Sequence, residues 1–273
     1  GRPLLHFGFN WLSYANDDMA NYCLGALRFI NHGYFDVPNS ADMLQGRDYS
    51  QYYWFTFIPA MVRSGSELFL AWLSVLGNWN PLQIFMPLTL ALHIILISSS
   101  AAMVLISKKQ KKTALITGLL LACSALTTLG TLYQLIAQVL GLFLLIATAT
   151  IFQSFFVNTS KLWLFRQSIL FSVLACTLLI SYPEIIPIIG LACIIYFVVS
   201  LLRGWRPQRK FIMLLLLIAI ESLALLNTYW VNIVTFLYYQ ATAGFTYDKG
   251  DLFPYFLVPS GFADLWGLLP LCT

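Results

Sequence analysis

Six long apolar stretches, each near the length needed to cross a bilayer, dominate this sequence from residue 81 onward. We place them at 81–106, 113–130, 134–157, 167–182, 185–202 and 211–237. A membrane-spanning helix needs about 20 apolar residues. Charged residues make up only 10% of the chain, whereas soluble domains carry about 25%. The sequence therefore predicts an all-α fold, a polytopic bundle of transmembrane helices.

The stretch Pro3–Ala15 is also apolar but too short to span, so we interpret residues 1–15 as a partial first transmembrane helix. The predicted organisation is this partial helix, an outward loop at 16–80, a transmembrane bundle at 81–238 and an outward loop at 239–273. In this interpretation the bundle holds about six full spans. A single hairpin over 113–157, with its tip at Gly130-Thr131, is an alternative for that part of the bundle.

Basic residues occupy alternate connections between the apolar stretches. Ten of the fifteen Lys and Arg residues lie at 108–112, 161–166 and 203–210, and these connections contain no acid. The positive-inside rule places them in the cytoplasm. Segments 16–80 and 239–273, the turn at Gly130 and the turn at 181–184 then face the extracytoplasmic side, and Glu221 is the sole acid outside an outward segment. The net charge of +4 is thus explained by topology, and we predict no binding of nucleic acid.

The first outward loop has the composition of segments that lie along a membrane surface. Its residues predict an amphipathic helix over 17–31, a loop over 36–48, and two aromatic-rich helices over 51–62 and 67–76. Trp, Tyr and Phe are enriched at membrane interfaces. A similar short helix is predicted over 259–269. The extracytoplasmic face is therefore expected to carry interfacial helices at both ends of the bundle.

Asp17 and Asp18 are adjacent carboxylates at the start of the amphipathic helix. Acids at a helix N-terminus are stabilised by its free N–H groups and its dipole, so capping explains the pair in structural terms. The functional alternative is a general base or a metal ligand at the membrane boundary. Desolvation and a neighbouring like charge would both raise a carboxylate pKa there. Both interpretations follow from spacing alone.

The segment Tyr14-Ala15-Asn16-Asp17-Asp18-Met19-Ala20-Asn21-Tyr22 and its context resemble the GT-C superfamily. The context is a partial first helix, an acidic pair early in a long outward loop, interfacial helices and then many spans. Members of that superfamily are integral-membrane glycosyltransferases that use polyprenyl-phosphate-linked sugars. The resemblance implies that Asp17 or Asp18 is the catalytic base, and it implies a lipid-linked sugar donor as a partner. Members usually have more spans than this chain offers.

Glu184 lies in an outward turn, Ser181-Tyr182-Pro183-Glu184, between two apolar stretches. Pro183 breaks the first helix and Glu184 opens the next, which is a structural explanation for the turn. The functional alternative places a second carboxylate on the face of Asp17 and Asp18, where it would bind sugar hydroxyls or a cation. Tyr182 would add a surface for stacking and hydrogen bonding.

Outward cations are candidates for holding a lipid phosphate, which needs a positively charged clamp. We rank Arg47 first, because it lies in the loop between Gly46 and Asp48. Arg63 is second, since it follows an aromatic helix, and Arg28 on the amphipathic helix is third. Taken alone, each of the three is more often an interfacial anchor or a lipid head-group contact than a site residue.

Polar residues inside the apolar stretches form a second set of candidates. Glu221 and His93 lie within predicted spans, where ionisable groups are costly and rare. The structural alternative for each is a hydrogen bond to a neighbouring helix. Gln134 and Gln138 have i, i+4 spacing, which predicts two amides on one helical face, in contact with substrate or with another helix.

No cofactor is implied by the motifs. The five cysteines are far apart without metal-ligand spacing, and no glycine-rich phosphate loop occurs, so we expect neither a structural metal nor a nucleotide cofactor. A divalent cation bound by His32, Asp36, Asp42 and the acidic pair remains compatible with the sequence.

Three functions are in competition. The leading expectation is transfer of a sugar from a polyprenyl-phosphate carrier to an acceptor on the extracytoplasmic side. A multi-pass transporter or lipid flippase would instead use Glu221 and His93 as a path through the bilayer. The third is a non-catalytic subunit that packs against other membrane subunits. All three have membrane lipids as partners, and polar residues converging at the outer surface would favour the transferase.

Overall fold

The computed structural model describes residues 8–9, 18–60, 62–108, 110–155, 161–204 and 209–246. Within these ranges the chain forms twelve α-helices and no strand, which confirms the all-α class. The helices are α1 Asp18–Asn31, α2 Ser40–Leu44, α3 Gln51–Phe57, α4 Gly65–Gly77, α5 Pro81–Lys108, α6 Lys111–Ala122, α7 Ala125–Leu132, α8 Ile136–Ser154, α9 Lys161–Ser181, α10 Ile186–Leu202, α11 Arg209–Leu226 and α12 Tyr229–Thr246. A 3₁₀ turn, Pro183–Ile185, precedes α10.

Three described helical segments are long and apolar enough to cross a membrane by themselves. They are Pro81–Ile106, Ile136–Gln153 and Pro183–Leu202, and a fourth span exists if the bent pair α11 and α12 is counted as one. A membrane protein with a few spans is therefore supported. In α9, the apolar part Phe165–Ser181 has only 17 residues, which places it at the short end of the spanning range.

Two of the apolar stretches are each divided between two helices. The stretch 113–130 is divided between α6 and α7 at Cys123 and Ser124. The stretch 211–237 is divided at Asn227 and Thr228, where the axis bends by 93°. Asn227 has a left-handed backbone (φ 49°), a conformation that Asn tolerates better than most residues. Local backbone preference therefore overrides the continuity of the apolar pattern.

The remaining boundaries differ less from expectation. Gly130 and Thr131 lie inside α7 rather than at a hairpin tip, and the turn falls at residues 133–135. The predicted loop 36–48 contains the short helix α2, which Asn39 caps by accepting a bond from Ala41 N–H (3.0 Å). Helix α12 continues to Thr246, past the predicted boundary at 238. The predicted partial helix at 1–15, apart from residues 8–9, and the helix at 259–269 lie outside the described residues.

The main core joins the segment before α5 to the long helices that follow it. Its buried side chains come from α1, α4, α5, α8 and α9; they include Met19, Cys23, Leu70, Phe85, Met86, Ile136, Ala137, Val139, Leu140 and Leu178. The Tyr22 ring of α1 stacks on Phe85 of α5, with ring centroids 6.0 Å apart. Helix α1 therefore lies across the beginning of α5, on the side opposite the basic connections.

Gly25 allows this close packing of α1. A Cβ atom at residue 25 would lie 2.7 Å from the Tyr53 ring and 2.8 Å from Cγ of Glu67. These separations are shorter than side chains tolerate without movement. The missing side chain therefore lets α1 rest directly on α3 and α4, and it brings Tyr22 into the region described next.

Candidate functional site

Arg63 is the centre of a polar cluster formed by α1, the connection before α4 and the 3₁₀ turn before α10. It lies in the short connection before α4 and donates from Nη1 to Glu184 Oε1 in the 3₁₀ turn. Its other terminal nitrogen, Nη2, donates to the hydroxyl of Tyr22 in α1 (3.3 Å). The side chains of Arg63 and Glu184 are only 19% and 24% exposed. Arg63 thus ties three outward segments together across a partly buried site.

Aromatic rings enclose the Arg63 guanidinium. Its central carbon lies 5.7 Å from the centroid of the Tyr182 ring and 5.9 Å from that of the Phe236 ring. Both distances fall in the range of cation–π attraction. Gly141 of α8 makes room for Tyr182, because a Cβ at residue 141 would lie 2.4 Å from the Tyr182 Cβ. Tyr182 and Glu184, two residues singled out from the sequence, therefore both lie against Arg63.

The electrostatic surroundings keep Arg63 charged. Burial by itself lowers the pKa of a guanidinium, but Tyr22, Glu184 and Glu67 around it raise the pKa of Arg63 above its ordinary value. A permanently charged arginine in a partly buried setting is the kind of group that holds a phosphate.

Glu67 is the functional candidate that sequence reasoning missed. Its side chain belongs to the first turn of α4 and the residue is only 4% exposed. The hydroxyls of Tyr53 and Ser66 donate to its two oxygens at 3.1 and 2.7 Å. Burial raises the pKa of Glu67, against the opposing effects of Ser66 and Arg63. The available signal was its i, i+4 spacing from Arg63 beside an apolar helix.

Asp18 lies close to this cluster, and Asp17 falls outside the described residues. Asp18 opens α1 and precedes Tyr22 by one helical turn. Burial raises the pKa of the Tyr22 phenol; Arg63 opposes that rise, while Glu67 and Asp18 add to it. The electrostatic influence of Asp18 on Tyr22 connects the acidic end of α1 to the Arg63 cluster.

Arg47 and Arg28 are positioned apart from Arg63 and have other partners. Arg47, ranked first from the sequence, forms an ion pair with Asp42 (2.8 Å) and its side chain is 61% exposed. Arg28 is buried, and it donates to Gln51 Oε1 (2.7 Å) and to the backbone carbonyl of Asp36. The structure therefore favours Arg63 over both as the arginine of the cluster.

Asp48 belongs to a second network, which folds the outward loop against α1. His32 Nε2 lies 2.8 Å from Asp48 Oδ2, and the Ser50 hydroxyl donates to Oδ1 (2.6 Å). Partial burial disfavours the ionised carboxylate, but hydrogen bonds from Ser50, His32 and Gln51 outweigh it and lower the pKa of Asp48 to about 2.

Within the described residues, no group of three His, Cys, Asp or Glu side chains could hold a metal ion.

Gln134 and Gln138 do not share a helical face, so that prediction was wrong. Gln134 adopts a left-handed backbone (φ 60°) in the turn before α8, which begins at Ile136. It is fully buried, and its amide nitrogen lies 3.2 Å from the Met86 sulfur. Gln138 is in the first turn of α8, where it lies near Gly130.

Glu221 and His93 are hydrogen-bonded to neighbouring helices, as the structural alternative for both predicted. The hydroxyls of Ser168 and Ser172 in α9 donate to the two oxygens of Glu221 at 3.0 and 2.9 Å. The Nδ1 atom of His93 is hydrogen-bonded to the hydroxyl of Thr131. Each polar side chain is therefore matched by a polar partner across a helix interface.

A shallow surface depression adjoins the cluster. Its lining is one cation surrounded by apolar and aromatic side chains: Arg63, Leu179, Pro183, Tyr229, Ile233 and Phe236. Arg63 Nε and Glu184 Oε2 are buried and have no hydrogen-bond partner among the described residues. The arrangement suits an amphiphile with an anionic or hydroxylated head.

In comparisons with known proteins, no family model, curated protein or solved structure matches this chain.

Proposed function

We propose that this chain is a membrane glycosyltransferase that moves a sugar from a polyprenyl-phosphate carrier to an acceptor on the extracytoplasmic side. The observation that carries the proposal is the cluster in which Arg63 joins Glu184 and Tyr22, one turn from Asp18. A carboxylate for proton removal and a fixed cation for a leaving phosphate are the two groups that this chemistry requires.

The proposed reaction is a direct displacement. The carboxylate of Asp17 or Asp18 takes the proton of the acceptor hydroxyl, and that oxygen forms a new bond to the anomeric carbon. The bond between the anomeric carbon and the phosphate oxygen breaks, and its electron pair leaves with the phosphate. Arg63 stabilises the negative charge on the departing phosphate. Glu184 and Tyr182 then contact the sugar or position Arg63.

The surroundings of Arg63 support a lipid-linked donor. The adjoining surface depression is lined by Leu179, Ile233 and Phe236 beside the guanidinium, so an apolar surface lies next to a cation that a lipid phosphate would contact. In this proposal the basic connections are cytoplasmic. The finer topology, about six full spans and a partial first one, belongs to the same proposal.

The transporter alternative draws less support from the described residues. It needs intramembrane polar groups that open onto a shared path. Glu221 is instead bonded to Ser168 and Ser172, while His93 is bonded to Thr131. These two pairs join different helices, α9 with α11 and α5 with α7.

The first test is binding of a polyprenyl-phosphate-linked sugar to the purified chain in nanodiscs. We expect saturable binding, and Arg63→Lys should weaken it by about 10- to 100-fold, because lysine keeps the charge but loses the planar, forked donor set. Arg47→Gln is the matched control; removing this exposed cation should change the affinity less than about twofold. Absence of binding to donors with several different sugars, in a chain that remains folded, contradicts the proposal.

A further inference from the structure

The contact between α9 and α11 is a polar seam between two apolar helices. On α9, Ser168, Ser172 and Cys176 follow one another at four-residue intervals and so lie on one face. The two serine hydroxyls donate to Glu221, and Cys176 Sγ lies 3.5 Å from the carbonyl of Ser222. Small residues let the two helices approach closely, and the carboxylate then joins them.

This seam matters more in lipid than it would in water. Lipid tails are as apolar as leucine side chains, so no hydrophobic effect drives one membrane helix against another. Much of the surface of α11 is exposed and apolar, as with Ile212, Met213, Leu216, Ile220 and Leu223. Hydrogen bonds and close packing must therefore hold α11 in place, and Glu221 receives two of those bonds.

The position of α11 determines the position of α12. Only Asn227 and Thr228 separate the two helices, and the chain turns there by 93°. After the turn, Tyr229, Ile233 and Phe236 of α12 line the surface depression beside Arg63. The other contacts of α12 include an apolar cluster with Cys176, Leu179 and Ile180 of α9, which adds packing but little directional restraint.

We infer that Glu221 is a positioning residue for the Arg63 site: by fixing α11 against Ser168 and Ser172, it holds α12 as a cover over Arg63. Arg63 contacts Glu184 in the 3₁₀ turn that follows α9, and its guanidinium also lies against the Phe236 ring of α12. Loss of the seam should let α12 move away and expose the polar cluster. The inference extends the proposed function, because Arg63 is the cation assigned there to the leaving phosphate.

Thiol labelling at residue 64 tests this without any substrate. Ser64 is 1% exposed and lies beside Tyr229 of α12. In a chain with Cys123, Cys176, Cys193 and Cys272 replaced by Ala, the variant Ser64→Cys should react slowly with a water-soluble maleimide. Adding Glu221→Leu should raise the labelling rate about tenfold or more, whereas Glu221→Gln, which keeps an oxygen acceptor for one serine hydroxyl, should restore most of the protection.

Two controls separate movement of α12 from general unfolding. Ser74 lies in α4 and is 2% exposed, so the thiol of Ser74→Cys should stay unreactive in the Glu221→Leu background. An unchanged labelling rate at position 64 in a folded Glu221→Leu variant overturns the inference, as does equal labelling at positions 64 and 74. Because no donor is used, the labelling result can fail while sugar transfer stands, and the reverse outcome is equally distinguishable.

Discussion

The carboxylates of Glu184 and Glu221 are both held by other segments of the chain, but in opposite ways. Glu184 pairs with a cation, and one of its oxygens remains buried without a partner among the described residues. Both oxygens of Glu221 accept from serine hydroxyls. A buried polar atom without a partner costs about 1–3 kcal/mol. The outer cluster therefore retains capacity for a further partner, whereas the inner seam is saturated.

This difference separates a group that is suited to chemistry from one that is suited to architecture. Charged groups in the Arg63 cluster, with aromatic neighbours and a surface depression beside them, can exchange a protein contact for a ligand. A carboxylate saturated by two hydroxyls inside a helix interface contributes to helix association instead. We regard Arg63 and Glu221 as representatives of these two roles, and the predictions below test whether the roles differ as stated.

The largest expected effect comes from removing the cation of the outer cluster. Arg63→Gln leaves Glu184 and Glu67 partly or fully buried without their positive neighbour. Breaking such a pair costs about 3–5 kcal/mol, so the thermal midpoint in detergent should fall strongly. Arg47→Gln removes an exposed ion pair, which is worth about 1 kcal/mol or less. Similar losses in the two variants would show that Arg63 has no special role in the cluster.

A smaller effect is expected where α1 rests on the outer cluster. Gly25→Ala places a methyl group 2.7 Å from the Tyr53 ring, and overpacking of this kind costs about 1–3 kcal/mol. Gly190→Ala is the matched control, because nothing lies within 4 Å of the position its Cβ would occupy. Thermal unfolding of both variants measures the contrast. If Gly25→Ala is tolerated as well as Gly190→Ala, the close approach of α1 does not hold the site together.

Glu67 should make the stability of the fold depend on pH, in a direction that follows from its shifted pKa. Its pKa is raised in the folded chain by burial, so the folded state binds the proton more tightly than the unfolded state does. Its contribution to stability is therefore complete below the unfolded pKa of about 4.3 and is lost as the pH rises toward the folded pKa.

Glu67→Gln removes this titration and keeps the side-chain shape. The stability of the wild type relative to Glu67→Gln should fall as the pH is raised from about 4 to about 8, as measured by thermal unfolding at each pH. The low pKa of Asp48, about 2, gives a contribution of opposite sign, which is present above about pH 4 and lost below it. A difference between wild type and Glu67→Gln that does not vary with pH contradicts the assignment.

The smallest effect is expected at the contact between α9 and α11, where Ser168 and Ser172 meet Glu221. Ser172→Ala removes one hydroxyl that donates to Glu221, and such interhelical bonds in membranes are worth about 0.6 kcal/mol. Ser200→Ala is the control, since its hydroxyl donates to the carbonyl of Tyr196 within the same helix, α10. Unfolding in mixed micelles can compare them. A loss at Ser172 as large as that at Arg63 would remove the distinction between cluster and seam.

The sequence was sufficient for the helical class and for α1, α3 and α4, because apolar composition and amphipathic periodicity are local properties. It also predicted that Glu184 and an outward arginine share a face, because basic connections define the sides of the membrane. It ranked Arg63 second, behind Arg47. Arg63 and Glu184 are 121 positions apart, and only the tertiary packing of α1, α4 and α9 brings them together.

Two further differences have similar causes. Hydropathy does not detect the helix break at Asn227, because it averages over a window and ignores a single left-handed residue. Glu67 carries little functional signal in the sequence, since an acid in the first turn of a helix is also stabilised by the helix dipole. Its burial depends on Gly25 and Tyr53, which belong to other helices. Local patterns thus predict helices well, but they do not predict which side chains meet.

The most direct measurement of the central claim is the initial rate of sugar transfer from a polyprenyl-phosphate donor in proteoliposomes. We predict that the double variant Asp17→Asn/Asp18→Asn loses about 10²- to 10⁴-fold in rate, as expected for loss of a general base. Asp42→Asn changes a carboxylate that is paired with Arg47 outside the cluster and should keep the wild-type rate within about twofold. Transfer at the wild-type rate by the double variant would contradict the account.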